Sequence, residues 1–237
     1  MMYWILKYVL LGPVLRAVYR TRVTGRQNIP EHGPVVIVGN HLSVIDSFFM
    51  PLYVKRRVNF LAKSEYFTGK GVAGWVTRVF MHATGQIPID RSGGKASEAS
   101  LNTGLSVLGR GDVLALYPEG TRSPDGRLYR GRTGVARMIL EARCPVVPAV
   151  MVGSREMMPI GAKIPKRTPL EIHFGEPLDF SRFAGMDGDR FVLRAITDQI
   201  MIALDNLGNQ EYADIYASTV RAQYAQEQAE REKALQQ

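Results

Sequence analysis

A histidine and an aspartate stand five positions apart in Asn40-His41-Leu42-Ser43-Val44-Ile45-Asp46. A neutral imidazole can take a proton from a hydroxyl at physiological pH, because its unperturbed pKa is about 6.5. A neighbouring carboxylate fixes the imidazole tautomer and stabilises the cation that forms. Side chains five apart do not face each other on one regular helix, so His41 must lie in the turn before the helix if it is to meet Asp46. The sequence permits this. Ser43-Val44-Ile45-Asp46 fits a capping box with Ser43 as N-cap and Asp46 in the first turn. A helix-start carboxylate with no chemical duty fits the same residues.

A second group of reactive types is Tyr117-Pro118-Glu119-Gly120-Thr121-Arg122-Ser123. It places a carboxylate, a conformationally permissive glycine, a hydroxyl and a guanidinium side by side. Glycine allows close backbone approach to a ligand, and arginine offers a planar fork that suits phosphate oxygens. Glu119 would repel a phosphate unless it paired with an arginine or accepted from a substrate hydroxyl. Lys63 and Arg91 follow apolar runs as Arg122 does, so three predicted strand ends each present a cation. Parallel strands would bring these cations to one sheet edge with His41. A base beside an anion-binding cluster points to a phosphorylated substrate that bears a hydroxyl. Strand ends also carry charge simply because they reach solvent.

The elements that must position these groups alternate along the chain. Strands are predicted at 35–38, 58–62, 85–91, 113–117, 146–152 and 170–174. Pro88 marks the 85–91 strand as an edge or bulge. Helices are predicted at 43–53, 72–81, 96–108, 134–142 and 191–207. This alternation specifies an α/β fold with a mixed, largely parallel sheet flanked by helices. Tyr212, Tyr216, Val220 and Tyr224 recur every four residues, which predicts a polar C-terminal helix whose first part docks on the body.

The chain has 237 residues and one cysteine, Cys144, so it forms no internal disulfide; the thiol reads as part of the core. Residues 1–100 carry 13 Lys and Arg against 5 Asp and Glu, whereas residues 101–237 carry 17 of each. A basic N-terminal half implies an anionic partner. The first fifteen residues are apolar and aromatic, interrupted by Lys7 and Gly12-Pro13, and an arginine cluster follows. That stretch falls short of the roughly 20 apolar residues of a spanning helix. It suits a helix lying in the bilayer interface, or else an ordinary core helix. The basic stretch lacks the aromatic interleaving of single-strand binders, so no nucleic-acid partner is expected. Gly69-Lys70-Gly71-Val72-Ala73-Gly74 spells a dinucleotide-binding pattern, but Ser64–Thr68 separates it from the preceding strand. His32, His82 and His173 lack metal-ligand spacing, so no metal is expected.

Taken in order, these segments resemble the glycerolipid acyltransferase family. Asn40, His41, Ser43 and Asp46 match its NHxSxxD motif. Gly85–Arg91 resembles its second motif, with Ile-Pro-Ile where an aromatic is common. Tyr117–Ser123 matches its third motif in full, and Val146–Val150 is similar to its fourth. The resemblance covers roughly residues 25–205. It implies acyl transfer from an acyl thioester to the free hydroxyl of 1-acylglycerol 3-phosphate, with His41 as general base and Asp46 as its partner. It implies that Arg91, Glu119, Gly120, Thr121 and Arg122 bind the glycerol phosphate; the strand-end argument adds Lys63. No cofactor is implied, only an acyl-CoA or acyl-carrier-protein thioester as co-substrate. Glycerol 3-phosphate or another lysophospholipid is an alternative acceptor, and a noncatalytic protein of anionic membranes is an alternative role. The expected organisation is a membrane-docking helical segment (1–28), a catalytic domain (29–207) and a C-terminal helical tail (208–237). The expected location is the cytoplasmic face of the cell membrane, bound peripherally or monotopically.

Overall fold

The run at 35–39 becomes a central strand because each of its side chains can be buried. In a computed structural model, which describes residues 1–90 and 95–235, Val35, Val36, Ile37 and Val38 are all fully buried. Burying each contributes about 1.5–3 kcal/mol. Their alternation serves two cores. Val35 and Ile37 join one hydrophobic cluster, and Val36 and Val38 join the other.

The elements follow in order. A helical N-terminal stretch comprises α1 (Met2–Ile5), a π-helical turn at Leu6–Leu10 and α2 (Leu11–Val18). Then come β1 (Thr21–Thr24), β2 (Val35–Gly39), α3 (Asp46–Tyr53), β3 (Val58–Lys63), α4 (Gly71–Ala83), β4 (Gln86–Ile89) and α5 (Lys95–Gly109). Next are β5 (Val113–Leu116), β6 (Leu128–Tyr129), α6 (Gly134–Ala142), β7 (Val146–Val152), α7 (Ser154–Met157) and β8 (Leu170–Phe174). The chain ends with α8 (Arg190–Gly208), β9 (Tyr212–Ala213) and α9 (Ala217–Leu235).

Seven strands form one sheet in the order β1-β8-β7-β2-β5-β3-β4. All neighbouring pairs are parallel except β7 and β8. Strands β2, β3, β4, β5 and β7 therefore run one way, and their C-terminal ends meet at one edge. Residues of α3 (Phe49, Met50, Leu52) fill the core on one face, and residues of α5, α6 and α8 fill the other. The sheet is mixed and largely parallel, as expected, and β4 with Pro88 is an edge strand.

The N-terminal stretch is both packed and exposed. Tyr3 and Lys7 are buried, and the Tyr3 hydroxyl accepts from the Val58 amide at 3.1 Å. Lys7 donates to the Val54 carbonyl, Arg16 to the Leu52 carbonyl, and Arg26 Nε to the Tyr53 carbonyl at 3.0 Å. These carbonyls end α3, where unpaired acceptors and the negative end of the helix dipole attract cations. Part of the basic N-terminal charge thus caps a core helix. Burial, with Arg16 and Arg26 nearby, pulls the Lys7 pKa down to about 8. The opposite side is apolar and open, with Trp4, Tyr8, Val9, Leu10 and Val14 exposed. No helix among the described residues is long and apolar enough to cross a membrane.

Several local expectations change. Thr21–Thr24, placed by sequence in the docking segment, joins the main sheet beside β8. Tyr212 lies in β9, which pairs with β6, so the period of four does not mark one continuous helix. The docking face of α9 is made by Ala217 and Val220, which pack with Tyr129 and Ala213. Helix α3 starts at Asp46 rather than Ser43, and no side chain caps it in the expected manner.

The glycines at 69–74 have a packing role. A Cβ on Gly74 would run into the backbone of Gly69, which follows the 3-10 turn at Ser64–Tyr66. Gly74→Ala must therefore displace α4 and is expected to destabilise the fold by about 1–3 kcal/mol. At Gly109, where a Cβ would meet no atom within 4 Å, alanine should change stability by less than about 0.5 kcal/mol. Urea unfolding midpoints of the two variants check this.

Candidate active site

The first functional loop begins where β2 stops. Asn40 continues the ladder with its side chain. Its Nδ2 donates to the Met151 carbonyl at 3.0 Å, and its Oδ1 accepts from the Met151 amide at 2.9 Å. The amide group therefore serves the edge of β7 that β2 has left, and the backbone is released to turn. His41 follows at once, with its side chain 17 % exposed on the wall of a cavity of about 930 Å³.

Asp46 is fully buried at the first position of α3. Its Oδ2 accepts from the amides of Leu42 and Ser43, both at 2.8 Å, and faces His41 Nδ1 at 3.1 Å. The carboxylate thus reaches back to the loop, reversing the expected capping box. The Ser43 hydroxyl instead donates to the Met158 carbonyl at 2.6 Å. A carboxylate only accepts, so Nδ1 is the donor and the basic lone pair of His41 lies on Nε2. The helix dipole further favours negative charge at this position. Asp46 Oδ1 is buried, and no hydrogen bond reaches it among the described residues.

A second loop, leaving β5, supports the ring. Tyr117 stacks on His41 with centroids 3.9 Å apart and planes within 8°. The Tyr117 hydroxyl bonds Ser47 Oγ on α3 at 3.0 Å. Burial, and the Asp46 charge after it, hold that phenol well above its usual pKa, so it stays neutral.

Glu119 lies under this loop and does not line the cavity. Its Oε2 accepts from the His41 amide and its Oε1 from the Tyr129 amide, each at 2.9 Å. Both oxygens expected to meet substrate are thus committed to backbone. The Ser123 amide donates to the His41 carbonyl at 2.7 Å, closing the link between the two loops. Gly120 turns the chain with φ +74°, and a Cβ there would press on the Arg132 guanidinium.

Gly120, Thr121 and Arg122 line the cavity with His41, and so does Lys63 at the end of β3. Lys63 also lies 3.8 Å from Glu65. Arg91 falls outside the described residues, so two of the three expected cations are seen to share the cavity with His41. Apolar side chains, among them Phe48, Phe60, Met81, Leu101 and Met138, form much of the remaining wall. Sequence reasoning missed the Tyr117 stacking, Ser47, Arg132 and Arg221; the last two also line the cavity. Arg132 follows a glycine in a loop, and Arg221 sits on a polar helix. Neither position carries a recognisable signal.

The acyltransferase family model matches residues 20–152, more than half of the chain. The chain belongs to the acyltransferase family. It is 30% identical over 146 residues to a chloroplastic 1-acyl-sn-glycerol-3-phosphate acyltransferase of Brassica napus, a match covering 61% of this chain and 41% of the relative. It is 27% identical over 191 residues to a 1-acyl-sn-glycerol-3-phosphate acyltransferase of Bacillus subtilis, covering 80% of this chain and 88% of that one. The chain thus spans about two fifths of the plant relative but most of the bacterial one. A crystal structure of the 1-acyl-sn-glycerophosphate acyltransferase of Thermotoga maritima shares the fold, with TM-score 0.59 and 22% identity over 84% of this chain and 79% of that one. The family match contains His41, Asp46, Lys63 and the Tyr117–Ser123 loop, while Arg221 reaches the same cavity from outside it.

Burial raises the Glu119 pKa from 4.5 to about 8 against the lowering effect of its two backbone donors. Between those values the folded protein holds a proton that the unfolded chain releases. This contribution to stability is complete below pH 4.5 and is lost as pH rises through about 8. The wild-type denaturation midpoint should fall over that window, by on the order of a few kcal/mol in stability. Glu119→Gln should lack this fall, as urea titrations at a series of pH values would show.

Proposed function

We propose that this acyltransferase moves an acyl group from an acyl thioester to the free hydroxyl of 1-acylglycerol 3-phosphate, giving phosphatidic acid. The observation that carries this reading is the His41–Asp46 pair on the wall of a cavity that is apolar over much of its surface and cationic at Lys63 and Arg122. Apolar walls suit acyl chains, and cations suit a phosphate. The names of the Bacillus subtilis and Brassica napus relatives support the same acceptor.

In this mechanism His41 Nε2 takes the proton of the glycerol hydroxyl as the oxygen attacks the thioester carbonyl. The Asp46 carboxylate stabilises the resulting imidazolium through Nδ1. Collapse of the tetrahedral intermediate breaks the carbon–sulfur bond, and the imidazolium returns its proton to the departing thiolate. The products are the ester and a free thiol. Glu119 acts from beneath, holding the His41 backbone rather than the substrate. The thioester is carried by CoA or by acyl carrier protein. The exposed apolar side of the N-terminal helices rests in the bilayer interface, at the cytoplasmic face of the cell membrane, so that lipid reaches the cavity without full extraction.

His41→Ala should lower kcat/KM for acyl transfer to lysophosphatidic acid by about 10²- to 10⁴-fold, while vesicle binding persists. Mass spectrometry of products across a matrix of donors and acceptors reads this directly; full activity in the variant would remove His41 from the mechanism. Trp4→Ala combined with Tyr8→Ala should weaken binding to vesicles containing anionic lipid by about tenfold in a flotation assay, with activity on a dispersed short-chain acceptor retained.

A further inference from the structure

The chain beyond the family-matched residues returns to the site and is bonded to both functional loops. Gln210 Oε1 accepts from Asn40 Nδ2 at 2.6 Å, and Gln210 Nε2 donates to the Gly126 carbonyl at 2.8 Å. Strand β9 then pairs with β6. Tyr216 lies beneath two guanidiniums, Arg130 at 5.7 Å and Arg132 at 5.2 Å from its ring centroid. On α9, Ser218 Oγ accepts from Arg132 Nη2 at 3.0 Å, and Arg221 Nη1 donates to Thr121 Oγ1 at 2.5 Å.

This places Arg132 beside Gly120 and Arg221 on Thr121, and both line the cavity that holds His41. Neither they nor the adjacent Arg122 lies within 4.0 Å of a carboxylate oxygen among the described residues. Carboxylates do line other walls, at Asp90 and Glu98. Guanidiniums held on neutral hydroxyls and an aromatic ring keep their charge unneutralised and their remaining N–H donors available. Clustered around a glycine turn, they make a fork for a dianionic phosphate.

We propose that Arg132 and Arg221 bind the phosphate of the acyl acceptor, and that the C-terminal segment thereby completes the site. This rests on the acceptor reading given above. The segment fixes Arg132 through Ser218 and Tyr216 and delivers Arg221 itself, so the residues outside the family match contribute to substrate recognition. The chemical class recognised is a phosphomonoester on a glycerolipid.

Arg221→Ala and Arg132→Ala should each raise KM for lysophosphatidic acid by about tenfold or more, with kcat within about twofold and the donor KM unchanged. Arg221→Lys should recover part of the loss, since it keeps the charge but not the fork. An unchanged acceptor KM in both alanine variants, or a loss confined to the donor KM, would overturn the proposal. A second measurement needs no turnover. Short-chain lysophosphatidic acid should raise the melting temperature of the wild type but not of Arg221→Ala, whereas monoacylglycerol should act alike on both. Equal shifts with lysophosphatidic acid, or a full shift from inorganic phosphate alone, would also overturn it. A wild type that binds lysophosphatidic acid through Arg221 yet transfers no acyl group would refute the acyl-transfer reading while leaving the phosphate site standing.

Discussion

One buried carboxylate oxygen organises this site. Asp46 Oδ2 gathers the amides of Leu42 and Ser43 and the ring nitrogen of His41, three donors from one loop onto one acceptor. Burying a carboxylate is costly unless it is paired or hydrogen-bonded, and the start of α3 adds its dipole to those three contacts. The same set of contacts fixes the loop backbone and the imidazole tautomer together. The shape of the loop and the basicity of Nε2 are therefore consequences of a single solvation requirement.

Helix α3 extends that logic across the molecule. Its first residue holds His41, and its last carbonyls receive Lys7, Arg16 and Arg26 from the N-terminal stretch. A positive dipole end at the His41 loop and a negative end at the N-terminal helices give one short element two electrostatic anchors. The side of the N-terminal stretch left over from that docking is the one that exposes Trp4 and Tyr8. Attachment to the body and an apolar outer face are thus two sides of the same helices.

The loop after β5 shows how a motif residue can serve the backbone. Glu119 spends both oxygens on the amides of His41 and Tyr129, so it ties the two functional loops to each other. Asn40 does equivalent work toward β7, standing in for a backbone unit. Several polar residues in these motifs thus solve a hydrogen-bonding problem created where strands end, and that solution leaves His41, Gly120, Thr121 and Arg122 facing the cavity.

The sequence by itself determined the alternation of strands and helices, because burial on a period of two or 3.6 is written locally. The ranges of α6, β7 and β8 were legible to the residue, and Pro88 marked β4 as an edge or a bulge, of which the sheet order chose the edge. The sequence also determined which loop carries the His41–Asp46 pair, since the two residues are near neighbours in the chain. Tertiary structure decided what lies far apart in sequence. The Tyr117 ring reaches His41 across 76 positions, and Arg221 reaches Thr121 across 100. Such pairings depend on strand order and register, which composition and local spacing do not encode. The same holds for β1, β6 and β9: strands of two to four residues are too short to be read locally and are defined by their partners, β8 for β1 and each other for β6 and β9.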